Sequence, residues 1–143
     1  MAVISEVMTR EVETIAPEAS VQDAARLMSE LNVGALPVCD GEALVGMVTD
    51  RDITLRATAS GRAPQSTAVA EVMTTASSWC NENDSVDDVL KKMGDEQIRR
   101  MPVIDAHKHV VGIVSLGDLA TRQPTSTDRA LGDVSQPSMP TRR

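Results

Sequence analysis

The chain has 143 residues, about one domain's worth, and a fold of that size buries roughly 68–70% of its chain surface. Hydrophobic residues make up 41% and charged residues 24%, which excludes wholesale disorder. One Trp and no Tyr or Phe leave an aliphatic core, and a net charge of −7 argues against nucleic-acid backbones and anionic membranes as partners.

No apolar run approaches the ~18 residues of a membrane span. Residues 1–14 carry Glu6, Glu11 and Glu13 and lack the apolar stretch of a signal peptide, so a cytoplasmic setting is expected. Val12-Glu13-Thr14-Ile15 predicts a short strand. Ser20 then caps a helix with the apolar face Val21, Ala24, Ala25, Met28 and Leu31. Gly34 suits the left-handed end of that helix. Ala35 to Cys39 predicts a strand, Asp40-Gly41 a hairpin turn, and Ala43 to Thr49 the returning strand. A second helix is expected from Thr49 through Asp52, Ile53 and Ala57. Ser60 to Ser66 reads as a linker.

The same elements then return. Val7-Met8-Thr9 recurs as Val72-Met73-Thr74, Ser20-Val21 as Ser85-Val86, and Pro37-Val38 as Pro102-Val103, all 65 residues on. One inserted residue later, Gly46-Met47-Val48-Thr49 recurs as Gly112-Ile113-Val114-Ser115, and Asp52-Ile53 as Asp118-Leu119. The second capped helix has the face Val86, Val89, Leu90 and Met93. The order β-α-β-β-α, twice, predicts an α+β fold. The first motif spans 1–59, the linker 60–68, the second motif 69–122, and a Pro/Ser/Thr-rich tail at 123–143 is expected to be disordered.

Thr49-x-x-Asp52 and Ser115-x-x-Asp118 are the strongest candidates for a binding role. Each opens a helix, where free N–H groups and a positive dipole suit a phosphate. An Asp there can accept bonds from a ribose cis-diol. The same spacing also makes a capping box. Ser20-x-x-Asp23 and Ser85-x-x-Asp88 share it and are assigned to capping alone. Gly34-Ala35-Leu36-Pro37-Val38 is either a small-residue run admitting a flat ligand or a helix end. Its counterpart Arg99-Arg100-Met101-Pro102-Val103 offers two arginines, for phosphate or for solvent. Trp79, the counterpart of Thr14, either stacks on a base or fills volume. His107 and His109 fall at a hairpin tip with no third ligand, so no metal is assigned. Cys39 and Cys80 align with Ile104 and Ile15 in the other motif, as buried small hydrophobes do. Among the familiar catalytic and nucleotide motifs none is present, so no enzyme is expected.

These repeated motifs resemble a tandem CBS-domain pair, or Bateman module, over about residues 5–122, similar to small bacterial CBS proteins of the hypoxic-response type. The resemblance implies two β-α-β-β-α motifs packed sheet to sheet about a pseudo-two-fold axis. It implies a non-catalytic sensor that binds AMP, ADP, ATP, NAD or S-adenosylmethionine in clefts between the motifs, with no required cofactor. Asp52 and Asp118 would hold ribose, and Thr49 and Ser115 would lie near phosphate. Thr14, Gly34, Ala35 and Pro37, and Trp79, Arg99, Arg100 and Pro102, would line the two base pockets. Trp79 and Arg100 replace the smaller Thr14 and Ala35, so the second pocket is expected to be narrower. A homodimer and an effector protein acting in trans are the expected partners. The alternative is a ligand-free stress or interaction protein using the fold as a dimer scaffold.

Overall fold

The computed structural model describes residues 2–10, 12–75 and 78–122. The tail at 123–143 lies outside them. Ser20 starts helix α1 (Val21–Leu31) by accepting the Asp23 N–H on its hydroxyl at 3.0 Å. That satisfies one of the donors a helix start leaves open. Val21, Ala24 and Met28 are buried, whereas Ala25 is exposed and Leu31 is 41% exposed. The line at i, i+3 and i+7 faces inward with Leu27 packed beside it, so the predicted stripe is too wide on the side of Ala25 and Leu31. The helix ends on Asn32, at φ 57°, not on Gly34. Asn enters the left-handed region with help from its short polar side chain, so the glycine is not needed there.

Strands β1 (Ala35–Asp40) and β2 (Ala43–Thr49) form the predicted hairpin, with Gly41 at φ 65° in the turn. The strand predicted at Val12–Ile15 shrinks to one parallel bridge, Ile15 with Val38. Glu13 and Thr14 are exposed, so extending the ladder would bury nothing to offset its entropy. After β2, one α-turn, α2 (Asp50–Asp52), runs into a π-wound stretch at Ile53–Thr58. There Ala59 N–H donates to Thr54 O, and Arg62 N–H to Ala57 O, both at 2.9 Å. The expected second helix is therefore present but wider than an α-helix.

The second repeat gives β3 (Thr74–Thr75), β4 (Cys80–Asn81), α3 (Val86–Glu96), β5 (Arg100–Ile104), β6 (Val110–Ser115) and α4 (Leu116–Arg122). Here the four predicted face residues of α3 are all buried. The fold is α+β with two three-stranded sheets, ordered β1-β2-β3 and β4-β5-β6.

The compact units do not follow the repeat boundaries. One comprises Glu13–Ser77, and the other joins Met1–Val12 to the stretch from Ser78. The segment ahead of each repeat serves as a strap on the other repeat. Residues 2–9 pair with the α3 side of the chain: Ile4 N–H donates to Asp84 O and Ser5 N–H to Glu82 O, each at 2.9 Å. Residues 67–75 do the same 65 positions on, with Val69 N–H to Ala19 O at 2.8 Å and Ala70 N–H to Pro17 O at 2.9 Å. Each strap then caps the outer edge of a hairpin. Thr9 exchanges two backbone bonds with Ile113, and Thr74 and Thr75 pair with Met47 and Gly46. Its apolar residues complete that unit's core: Ile4, Val7 and Met8 in one, Val69 and Val72 in the other. Burying a short apolar segment this way stabilises by the area it removes from water.

Candidate functional site

Thr49 and Ser115 end β2 and β6 and begin the helices that follow. Thr49 Oγ1 accepts the Asp52 N–H at 3.0 Å, and Asp52 Oδ2 accepts the Thr49 N–H at 3.0 Å. Ser115 and Asp118 repeat this at 3.0 and 3.2 Å. Both are complete, reciprocal capping boxes. In the helices assigned to capping alone, the hydroxyls of Ser20 and Ser85 accept, but among the described residues Asp23 and Asp88 return no bond. A carboxylate has two oxygens and about four acceptor positions. Asp52 and Asp118 are half-buried, and each is fixed through Oδ2 while Oδ1 has no partner among the described residues. Capping and an accepting site are therefore compatible in one side chain.

The hairpin register brings the other candidates beside them. Ala35 lies opposite Thr49, and Gly34 O accepts the Asp50 N–H at 3.0 Å. Gly34, Ala35, Thr49 and Asp52 thus share one edge of the Glu13–Ser77 unit. In the other unit Arg100 lies opposite Ser115, and Arg99 O accepts the Leu116 N–H at 2.8 Å. Buried Ala35 is thereby matched by a half-buried Arg100, while Arg99 is exposed.

Thr14, Pro37, Trp79 and Pro102 stand further along the sheets. Ile15 N–H donates to Pro37 O, which places Thr14 at the buried Pro37. Cys80 pairs with Val103, so Trp79 neighbours the buried Pro102. Trp79 is half-buried, and Lys92 holds it: the ammonium donates to Trp79 O at 2.8 Å and lies 5.9 Å from the ring centroid. That is within cation–π range.

Both cysteines are buried, as their alignment with isoleucines predicts. Burial pushes the Cys39 thiol up, against a smaller opposing effect of the Thr14 hydroxyl. Cys80 is pushed up to about 12, first by burial and then by the charge of Asp84, with Lys92 opposing. A raised thiol favours the protonated native state, so this stability is complete below the unfolded value of 9.0 and is lost as pH rises through 9 toward 12. Cys39→Val and Cys80→Val should each fold with a change under about 1.5 kcal/mol. A thiol reagent at pH 7.5 should label neither cysteine until urea unfolds the chain; prompt native labelling would contradict their packing role.

His107 and His109 sit at the β5–β6 turn, where Asp105 accepts their backbone N–H groups at 2.8 and 3.0 Å. These bonds, first that from His109, hold the Asp105 carboxyl below its ordinary range. The two rings are 5.9 Å apart. Among the described residues, no three His, Cys, Asp or Glu side chains gather as a metal site.

One residue escaped the sequence reading. Arg56, in the π-wound stretch, donates from Nη1 to the carbonyls of Val72 at 3.1 Å and Met73 at 3.2 Å. Its recurrence as Arg122 at the repeat offset was the available signal.

A repeated α+β unit with paired Ser/Thr-x-x-Asp helix starts defines a tandem CBS architecture. The CBS domain family matches residues 4–57 and 69–124, and the chain belongs to it as a tandem pair of the hypoxic-response type. It is 46% identical over 137 residues to the CBS domain-containing protein YhcV of Bacillus subtilis, covering 94% of this chain and 96% of that one. To Hypoxic response protein 1 of Mycobacterium tuberculosis it is 34% identical over 125 residues, covering 87% of each.

Solved structures share the fold, among them three with bound ligands or ions. Hypoxic Response Protein I with two coordinated zinc ions has a TM-score of 0.78 at 34% identity, covering 86% of this chain and 100% of that one. CBSX2 in complex with AMP has 0.74 at 26%, covering 87% and 98%. The CBS domain pair of MJ0100 with 5'-methylthioadenosine and S-adenosyl-L-methionine has 0.76 at 28%, covering 85% and 98%.

Proposed function

We propose that this chain is a non-catalytic regulatory module that binds an adenosine-containing ligand at the Thr49/Asp52 and Ser115/Asp118 edges. The observation that carries the reading is that Oδ1 of Asp52 and of Asp118 has no partner among the described residues, while each carboxylate is held in place by a complete capping box. A fixed carboxylate with a spare oxygen suits a ribose diol. The Thr49 and Ser115 hydroxyls lie beside it for phosphate or a charged sulfur substituent. Gly34-Ala35 on one edge, and Arg99-Arg100 on the other, would bound the base. Thr14 with Pro37, and Trp79 with Pro102, would complete the two pockets. AMP in CBSX2 and S-adenosylmethionine in MJ0100 support the ligand class, adenosine being their common part. ADP, ATP and NAD share it. No cofactor is needed for such a role, and we assign none.

The ligand would act by binding one of two conformations more tightly, read by an effector protein in trans. No helix among the described residues is long and apolar enough to cross a membrane. We place the chain in the cytoplasm, where two unpaired buried cysteines stay reduced.

A thermal melt with AMP, ATP, NAD and S-adenosylmethionine tests the reading. At 100 times Kd a ligand should add about 2.7 kcal/mol of stability. No shift with any of them would leave the second reading, a ligand-free dimer scaffold. Exposed Leu31, Val33 and Leu55 favour a surface that a second copy covers. We expect a closed two-fold homodimer in either case, in keeping with the commonest symmetry. Light scattering at micromolar concentration giving the 15.3 kDa of one chain would contradict it.

A further inference from the structure

The ribose-side edge of the Glu13–Ser77 unit and its strap are joined by one short piece of chain. Asp52 ends the α-turn that Thr49 caps, and Arg56 follows four residues later in the π-wound stretch. On an α-helix residues four apart lie close enough for an Asp and an Arg to form an ion pair. Here none is made. Arg56 is turned instead to the strap, where Nη1 bridges the carbonyls of Val72 and Met73. That strap is held closely beneath. A Cβ on Gly46 would stand 2.6 Å from Thr74 O and 2.9 Å from Met73 Sδ, so only a glycine admits the strap at this place. The backbone beyond Met73 pairs directly with β2, the strand that delivers Thr49. Arg56 therefore closes a ring: Thr49 and Asp52, the helix start, the guanidinium, the strap carbonyls, and back through β2.

We propose that Arg56 is a positioning residue that couples occupancy of the Thr49/Asp52 edge to docking of the Val72-Met73-Thr74 strap. The inference rests on the adenosyl-binding reading above. A ligand bound at Oδ1 of Asp52 adds a second restraint to the already capped first turn, and the stiffened turn holds the Arg56 clamp on the strap. Binding that orders a segment lowers the cost of the next ordering step, so the two events favour each other without a large movement. The coupling is reciprocal: loosening the strap weakens the ligand by the factor by which the ligand tightens the strap.

Hydrogen exchange of the full chain, with and without saturating AMP or S-adenosylmethionine, tests this. In the wild type the ligand should slow exchange at residues 72–75 by about five-fold or more, the lower range of measured couplings. In Arg56→Gln the edge at 49–52 should still be protected while the added protection at 72–75 disappears, and ligand affinity should fall by the same factor. Arg56→Lys keeps a cation that can donate to both carbonyls and should restore most of the effect. Ligand protection at 49–52 without protection at 72–75 in the wild type would overturn the coupling alone. Equal strap protection in wild type and Arg56→Gln would overturn it too. No ligand-dependent protection anywhere would overturn the binding reading, and this inference with it.

Discussion

Gly46→Ala should unseat a strap and cost about 1–3 kcal/mol of stability, the range for forcing an added methyl into a filled site. The new methyl would stand 2.6 Å from the carbonyl oxygen of Thr74, a backbone atom that cannot swing aside. Relieving the clash moves the strap and exposes Val69 and Val72, both fully buried. Gly112→Ala meets the other strap at Met8 Sδ, 2.6 Å, and Thr9 O, 2.8 Å. The thioether can rotate away, so the backbone contact with Thr9 sets the cost. It should be the milder of the two. Gly117→Ala is the control. Its nearest outside atom is Ser115 Oγ at 3.7 Å, and alanine favours a helix over glycine by up to about 1 kcal/mol. Urea midpoints check all three. A Gly46→Ala midpoint equal to the wild type would show that the strap is not seated as described.

These straps mark the limit of what the sequence disclosed. The repeat itself, the two hairpins, the capped helices and the buried cysteines follow from spacing and register alone. The docking of Val7-Met8-Thr9 does not. Its three residues are those of Val72-Met73-Thr74 over again, and each strap meets a glycine in β2 or β6, so local sequence favours neither pairing. The choice is made by chain connection and burial over long separations. Helix ends differ from the sequence expectation for a related reason. Gly34 is the stronger local signal for a left-handed residue, yet Asn32 and, in the other repeat, Gln97 adopt it. The helix stops where its buried face stops, two residues earlier. At the candidate site, spacing disclosed the Thr49/Asp52 and Ser115/Asp118 boxes but also suggested two more. The sequence reading assigns those two to capping alone, and the geometry adds that their carboxylates return no bond to the cap, because that bond depends on side-chain rotation that no spacing encodes. The π-wound turn that frees Arg56 for the strap carries no signature in Ile53-Thr54-Leu55.

The second large effect concerns affinity. Asp52→Asn and Asp118→Asn preserve shape, and an amide oxygen can still accept the Thr49 or Ser115 N–H. Loss of the charge beside a helix start costs about 0.3–1 kcal/mol of stability. The ribose bonds lose more. Hydrogen bonds to a charged group are worth roughly 1.5–3 kcal/mol, so affinity for AMP should fall about tenfold or more, at 1.4 kcal/mol per decade. The larger loss is expected from Asp52, whose edge opens on Gly34 and Ala35, whereas Arg100 stands opposite Ser115. Calorimetric titration of each variant measures this. Unchanged affinity in both would confine the two carboxylates to capping.

The complete capping boxes are proposed to be the ligand edges as well. Amide chemical shifts of the intact, isotope-labelled chain, followed during titration with AMP and then with S-adenosylmethionine, test it most directly. Saturable shifts are expected at Thr49 to Asp52, at Ser115 to Asp118, or at both, with the half-boxes at Ser20/Asp23 and Ser85/Asp88 unmoved. Saturable shifts that avoid both complete boxes, or spectra unaltered by either ligand, would contradict it.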